Sequence, residues 1–582
     1  MSGIAGYTEI AGRTADRLLL LRMAETMHRR GPDDSGIFQD RRVGLAHTRL
    51  AVVDLSDAGH QPFHSADGRF VLVYNGEIFN ASELRQNELR DYPFVSYSDT
   101  EVLLAMLIRF GCTNDTLKKL NGFFAFALYD RQEETLFLAR DRFGVKPLIY
   151  LYSKEYFAFA STLEALKELP FFDRKKLRDD ALVDFLSFQY IPKEKTIYED
   201  VYKLLPGHTL VWKAGKITLN RWYDPDYRQK MIGYEDACAE LNRLVTGAVK
   251  RLLNADVPMG VFLSGGVDSA IVSNLAIRLS GQKLPLDSVG FQDIQYDETA
   301  FAKETAAFIR NQTGKKPDHR ITTVESAYAL DLLQKMLRQT GEPYADASLL
   351  PFSRLCAFAG ESGLRVALTG DGADEFFYGY DRYRAMRLFR YAHFLPCDLI
   401  RKFLPKGGNE RSSGGRADRF FRIARIADEK QRYLAIVTHE AQHYFADLFV
   451  NEIRSGGAGM PGIAPDPADS AARFDYFTYM PGDVLVKSDI GSMSAGLEIR
   501  SPFLDHEVAD FAFSLPAEYK LQGRKRKRIL ADAFSGILPP GLAERPKRGF
   551  GVPVADWLRG GWYPEMRALL LNLPGEIFRR DT

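Results

Sequence analysis

At 582 residues the chain is far longer than one ordinary domain, and two large units or three to four small ones are expected. Its 46% hydrophobic and 26% charged residues are those of a globular protein able to bury sizeable cores. Lys plus Arg number 77 against 76 for Asp plus Glu, so no global field favours nucleic acid or a membrane, and neither is expected as a partner. Cys112, Cys238, Cys356 and Cys397 lack paired metal spacing and fit reduced thiols in a cytoplasmic protein. No basic-then-apolar leader and no apolar run of spanning length is present in the sequence, so a cytoplasmic location is expected.

The chain opens "MSGIAGYTEI". Removal of Met1 would leave Ser2 with a hydroxyl and a free α-amino group, a nucleophile and a base in one residue. Three segments between residues 43 and 130, "VGLAHTRLAVVD", "RFVLVYNGEIFN" and "NGFFAFALYD", are predicted strands, rich in β-branched and aromatic residues. "DTEVLLAMLIRFG" has helical apolar spacing and a Gly stop, and "TLFLARD" and "PLIYLYSKEYFAFAS" continue the strands. Polar patterns punctuate this framework: "HRRGPDDSG" (His28 to Gly36), "RLAVVD" (Arg49 to Asp54), "NGE" (Asn75 to Glu77) and "SDTE" (Ser98 to Glu101). Asn75 and Gly76 offer a side-chain amide and a backbone N–H suited to an oxyanion hole. Arg49 can fork onto a carboxylate, and Glu77 with Asp99 can hold an α-ammonium. One arginine and two acids match the charges of a free amino acid.

"NRWYDPDYRQKMIGYED" reads as a linker, with a boundary near residues 222–235. Beyond it, helices alternate with short apolar strands, which suggests a parallel α/β sheet. "KGGNERSSGGRADR" reads as a mobile surface loop, and the Gly/Pro content of "RSGGAGMPGIAPDPADSAARF" argues against regular structure. The sharpest motif is Ser264-Gly265-Gly266-Val267-Asp268-Ser269, after the apolar "GVFL" and before a helix expected to start near Ala270. Two glycines let backbone approach a phosphate, the helix N-terminus supplies N–H donors, and Asp268 can hold Mg²⁺. No Lys follows the glycines, so this is not a Walker loop. A second turn, Thr369-Gly370-Asp371-Gly372-Ala373-Asp374-Glu375, packs three carboxylates that repel unless a cation joins them. Near the C-terminus, "LEIRSPFLDHEVADFA" carries Arg500 and Asp505, and "GRKRKRIL" carries Lys525 and Lys527, basic groups that could neutralise departing pyrophosphate.

The hexapeptide resembles the PP-loop of ATP pyrophosphatases, and from residue 2 to about residue 560 the chain is similar to the asparagine synthetase (glutamine-hydrolysing) family. The resemblance implies an α/β multidomain protein. Residues 2–222 would form a class II glutamine amidotransferase domain, an Ntn-hydrolase αββα sandwich. Residues 236–582 would form a parallel α/β PP-loop ATP pyrophosphatase domain. It places catalysis on Ser2, Asn75, Gly76, Asp371 and Lys527. Glutamine would be bound by Arg49, Leu50, Ala51, Val52, Val53, Asn75, Gly76, Glu77 and Asp99. ATP would be bound by Leu263, Ser264, Gly265, Gly266, Asp268, Ser269, Val289, Thr369 and Gly370, and Mg²⁺ by Asp268 and Asp374. ATP and Mg²⁺ are the implied cofactors. Glutamine or ammonia and a carboxylate acceptor, expected to be aspartate, are the implied partners. A homodimer is compatible with this reading. Ammonia is expected to travel inside the protein between the two sites.

Three departures stand out. The family's nucleophilic Cys is Ser2 here. "GEPYADASLLPFSRL" lacks the Arg that well-known bacterial aspartate-using members carry in this region, which leaves a sugar carboxylate as an alternative acceptor. The chain ends at Thr582, soon after "FGVPVADWLRGG", where many relatives continue. Ring-closing relatives such as β-lactam synthetases usually lose the glutamine pocket together with the Cys. Retention of Arg49, Asn75, Glu77 and Asp99 ranks that reading lower. A pseudoenzyme that binds glutamine or ATP fits only the change at Ser2.

Overall fold

Strict alternation of side chains along the early strands builds the first third into four layers. In the computed structural model, which describes residues 2–8, 15–153, 156–170, 172–293, 295–392, 413–438, 464–545, 551–575 and 577–578, two six-stranded antiparallel sheets face each other. The first runs in the order Val201–Lys203, Ile149–Tyr152, Phe157–Ala160, Ser2–Thr8, Val43–Arg49, Asp34–Gln39. The second runs Lys216–Arg221, His208–Lys213, Thr135–Arg140, Gly122–Asp130, Phe70–Ile78, Phe63–His64. Ile4, Leu45, Val71, Val73, Ala125 and Ala127 point into the space between the sheets. Their neighbours Ala5 and Ala46 face the helix Arg17–Thr26, while Leu72, Tyr74, Phe124 and Phe126 face the helix Asp99–Phe110. A period of two puts one face of each sheet against its partner and the other against a helix, which is an αββα sandwich.

Residues 222–233 carry no regular secondary structure, although Trp222 and Tyr223 are buried. Beyond them a five-stranded, wholly parallel sheet runs in the order Asp318–Val324, Pro285–Phe291, Met259–Phe262, Val366–Leu368, Glu498–Arg500. The chain leaves Met259–Phe262 to one side for two strands and then returns to its other side at Val366–Leu368. The switch point therefore lies between these two strands, and a crevice opens outside their C-terminal ends.

Two expectations are corrected. Ser413–Ala424 is helical although it overlaps the stretch read as a mobile loop, because Phe420 stacks on Phe389 with ring centroids 4.6 Å apart. Residues 406–412 of that stretch lie outside the described residues. Pro467–Phe477 is helical as well. Pro467 stands in the first turn, where its missing N–H is no loss, and the Asp466 side chain accepts from the Ala468 N–H. Residues 454–463 lie outside the described residues. Among the described residues no helix is long and apolar enough to cross a membrane.

Charged pairs buried between the sandwich and the parallel-sheet region fix their relation. Arg30 donates through both terminal nitrogens to Asp489, at 2.6 and 2.8 Å. Asn121 Nδ2 donates to Asp505 Oδ2 at 3.0 Å. Arg500 is fully buried and donates to Glu77, to Glu498 at 2.7 Å, and to the carbonyls of Leu252 and Asn254 at 2.8 and 2.7 Å. Burial raises the Glu77 pKa, against the pull of Arg500; Glu498 is held low, against burial, by the chain's N-terminal amine and then by Arg500 and Lys146. Removing one member of such a cluster strands a buried charge. Arg500→Leu is expected to destabilise the protein by about 3–5 kcal/mol in denaturant unfolding, because Glu77 and Glu498 lose their shared cation. A loss below about 1 kcal/mol would mean the cluster is solvated.

Candidate active sites

The crevice at the switch point is a cavity of about 470 Å³ into which both glycine turns open. Leu263, Ser264, Gly265, Gly266, Asp268, Ser269, Val289, Thr369, Gly370, Asp371, Asp374 and Lys527 all line it, so every position expected around the phosphate loop and the acidic turn converges there. The helix begins at Val267, three residues before the expected start near Ala270, with Gly266 as its N-cap. The loop itself explains this. Ser264 Oγ and Ser269 Oγ lie 2.8 Å apart, the Ser264 N–H donates to Ser269 Oγ at 3.1 Å, and the Gly266 N–H donates to Ser264 Oγ at 3.2 Å. Folded on itself, the loop delivers a thirteen-residue helix whose N-terminus opens on the cavity, a ready anion site. Asp268 does not cap; its Oδ2 lies 2.5 Å from Lys527 Nζ.

The three carboxylates of the second turn sort onto different partners. Asp371 accepts from Ser488 Oγ at 2.9 Å and from Thr369 Oγ1 at 3.1 Å. Glu375 accepts from the Tyr380 hydroxyl at 2.7 Å. Asp374 lies 2.6 Å from Lys527 Nζ, so one ammonium bridges Asp268 and Asp374. Burial alone would lower the Lys527 pKa, but these two carboxylates outweigh it and raise it. The lysine is held in the left-handed region at φ 49°, a strained conformation of the kind that collects at functional sites. Gly379 makes the bridge possible: a Cβ there would stand 1.8 Å from Asp374 Oδ1 and 2.2 Å from Lys527 Cε.

Arg500 and Asp505 do not face the phosphate loop. Arg500 is committed to the buried cluster, and Asp505 receives Asn121 and Arg251, the latter at 2.7 Å. Lys525 is exposed. Sequence reasoning missed Arg526, which lines the cavity and pairs with Asp381 at 2.7 Å. It also missed Lys487, Asp346, Tyr380 and Tyr479, which line the same cavity. A lone lysine inside the apolar "DVLVKSDIGSM" was the available signal. Lys487 Nζ lies 3.9 Å from Asp346 Oδ2. Nearby Asp483 accepts from the Tyr344 hydroxyl at 2.6 Å, and burial followed by the charge of Asp346 lifts its pKa to about 7.

At the other site, antiparallel pairing puts Ser2 opposite Arg49, and the Ser2 N–H donates to Asn75 Oδ1 at 2.9 Å. Asn75 is fully buried, and its Nδ2 has no hydrogen-bond partner among the described residues. Gly76 is required by packing, since a Cβ there would stand 2.1 Å from the Phe123 carbonyl oxygen. Arg49 ends its strand and donates to the carbonyls of Ser56, at 2.9 Å, and of Asp54. Leu50 and Val52 are buried and Ala51 and Val53 half-buried in the segment that follows. Asp99 Oδ2 receives the Tyr74 hydroxyl at 2.7 Å and the Ile78 N–H at 2.9 Å, which places it beside the strand of Asn75. Burial raises the Asp99 pKa against these two donors. Sequence reasoning did not single out Arg30, whose Nε reaches the Ser2 carbonyl at 3.3 Å.

A glutamine amidotransferase domain model matches residues 1–223, and the asparagine synthase model matches residues 240–578. Asparagine synthetase (glutamine-hydrolyzing) 1 of Bacillus subtilis (strain 168) is 31% identical over 561 residues, covering 94% of this chain and 86% of that protein. Asparagine synthetase (glutamine-hydrolyzing) 3 of the same organism is 28% identical over 587 residues, covering 96% and 89%. Amidase chry2 of Gibberella zeae is 26% identical over 585 residues, covering 93% and 86%. An Ntn-type amidotransferase sandwich joined to a PP-loop sheet defines the chain as an ATP-dependent carbon–nitrogen ligase. It belongs to the asparagine synthase family.

Asp483 gives a stability test with a fixed sign. A carboxyl whose pKa rises from 3.8 to about 7 on folding stabilises the folded state fully below about pH 4, and that stabilisation is lost as pH rises through about 7. The melting temperature of the parent is therefore expected to fall relative to that of Asp483→Asn between pH 5 and about 7.5. Parallel curves over that range would contradict the assignment.

Proposed function

We propose that the chain adenylates a carboxylic acid with ATP and Mg²⁺ and aminates the acyl-adenylate with ammonia taken from glutamine or from solution. The observation that carries this reading is the Lys527 bridge between Asp268 and Asp374 at the mouth of the phosphate loop. An acceptor carboxylate oxygen attacks the α-phosphorus of ATP and pyrophosphate leaves; ammonia then attacks the acyl carbon and AMP leaves. The loop N–H groups and Lys527 face the β- and γ-phosphates, where they oppose the charge that develops on pyrophosphate. Leu263 and Val289 offer apolar walls for the base, with Thr369 and Gly370 on the opposite turn. Asp268 and Asp374 converge on one cation and fit Mg²⁺, which favours one or two carboxylates plus substrate phosphates. Bound there, the metal would neutralise phosphate charge. Asp371 lies where the acyl carbon and incoming ammonia would meet. Residues 2–222 and 236–582 are the proposed working units.

Aspartate is the proposed acceptor. Asp346 and Asp371, the two acids nearest in effect to the single Lys487 in this cavity, favour an acid that brings its own ammonium over a sugar acid. Glutamine is proposed to lie along Arg49 to Val53, with Asn75 and Gly76 as oxyanion donors and Asp99 on its ammonium. Support comes from Asn75 Nδ2, unpartnered among the described residues, and from Arg49, which carries five N–H donors and among the described residues places two of its nitrogens on backbone carbonyls. The Glu77 carboxylate is committed to Arg500, so its backbone is the part that remains for the pocket.

Acceptor-dependent turnover is expected to release AMP and pyrophosphate, and Asp268→Ala to abolish metal-dependent turnover while glutamine binding persists. ADP and phosphate as products, or turnover surviving Asp268→Ala, would refute the pyrophosphatase chemistry. Aspartate adenylation no faster than a no-acid control would discard aspartate alone.

Ser2, with Met1 removed, is proposed to bind glutamine in its pocket but to hydrolyse it slowly. A hydroxyl stays protonated until attack, whereas a thiol is a few per cent thiolate at neutral pH. Ser2→Cys is expected to raise glutamate release at least ~10-fold, about 1.4 kcal/mol of barrier. Brisk hydrolysis by the unmodified protein would make Ser2 the working nucleophile.

A further inference from the structure

A separate cavity of about 150 Å³ lies between the sandwich and the parallel-sheet region. Its rim reaches solvent at Thr26 and Arg29, both exposed. Inward it meets a chamber of about 20 Å³, and Val145, Leu485 and Asp489 stand in the walls of both. That volume holds a single water-sized molecule. The chamber ends on Asp371, which also lines the phosphate-loop cavity. Three spaces therefore adjoin in series from the surface to the acidic turn, each sharing wall residues with the next.

The helix Leu485–Met493 separates them by its own periodicity. Val486 and Ile490, four residues apart, line the outer cavity and not the chamber; Ser488 and Ser492, also four apart, line the chamber and not the outer cavity. Leu485 and Asp489 form the stripe between and touch both, as i,i+4 neighbours on one helix surface do. The Arg30–Asp489 ion pair stands at the junction, with Arg30 Nε on the Ser2 carbonyl. Ser2 thus touches this junction through the ion pair, whereas the outer cavity shares three wall residues with the chamber.

We propose that the outer cavity is a second nitrogen inlet: free ammonia from solution enters at Thr26 and Arg29, passes Val145, Leu485 and Asp489, and reaches the acyl-adenylate beside Asp371 without crossing the Ser2 pocket. This rests on the adenylation–amination reading above. Ammonia is neutral and water-sized, and the chamber offers it apolar Val145, Leu485, Ile499 and Leu504 alongside serine hydroxyls. Ammonium leaves its extra proton in bulk water before it enters, because an unpaired buried charge is costly.

Val486→Trp and Ile490→Trp fill the outer cavity and leave the chamber's own stripe untouched. Each is assayed for acid-dependent ATP–pyrophosphate exchange, for ammonia-dependent AMP release, and, on the Ser2→Cys protein, for glutamine-dependent AMP release. The inlet predicts unchanged exchange, a KM for ammonia raised at least ~5-fold, and unchanged glutamine-dependent release. An unchanged ammonia KM would mean that ammonia enters through the glutamine pocket. Equal losses with both nitrogen donors would mean a single shared tunnel. Either result overturns the inlet. Absent exchange in the parent protein would instead refute the adenylation reading. If one variant lost exchange through misfolding, the other would carry the test. If Ser2→Cys gave no glutaminase, the ammonia KM against exchange would decide alone.

Discussion

Arg500 is the residue on which both sites depend. Its side chain lies in the buried seam between Glu498 and Glu77, and Glu77 stands two positions along its strand from Asn75. Its carbonyl receives the Thr369 N–H at 2.9 Å, and the next residue, Ser501, donates through Oγ to the Asp371 carbonyl at 2.6 Å. One short edge strand therefore sets the start of the acidic turn with its backbone and anchors the amidotransferase sandwich with its side chain. A guanidinium suits this position because it satisfies two carboxylates and two backbone carbonyls from one rigid fork.

The strands of the first third and the parallel sheet were legible from local composition and punctuation, whereas the αββα layering was implied by the family resemblance. The β-branched and aromatic segments "RFVLVYNGEIFN" and "NGFFAFALYD" hold the strands Phe70–Ile78 and Gly122–Asp130, and the strand–glycine–helix order at residues 259–279 is kept, with the helix starting earlier. The misreadings share one cause, which is composition weighed without capping. Pro467 was taken as a breaker although the Asp before it makes it a helix start, and the glycines near 414 masked the aromatic pair Phe420–Phe421 that follows. The early start of the helix at Val267 came from Ser264–Ser269 hydrogen bonding, a contact inside the loop that propensity does not register.

The phosphate loop was readable as a contiguous string, whereas its cation was singled out only through the family resemblance. Lys527 stands 259 residues from Asp268 and was one basic residue among several in "GRKRKRIL". The residue types alone do not separate it from Lys525, which is exposed, or from Arg500; the resemblance named Lys527, and the fold shows it bridging two carboxylates. Lys487, Asp346 and Asp483 were invisible for the same reason: their meaning lies in mutual proximity across two segments more than a hundred residues apart.

The most direct test of the account is acid-dependent exchange of labelled pyrophosphate into ATP with no nitrogen donor present. Because the groups proposed to adenylate sit together at the switch point while the proposed glutamine pocket lies across the Arg500 seam, exchange is predicted with a suitable acid and Mg²⁺ in the complete absence of glutamine and ammonia. No exchange with any carboxylic acid, in a protein that still turns over when ammonia is supplied, would contradict an acyl-adenylate formed at this site.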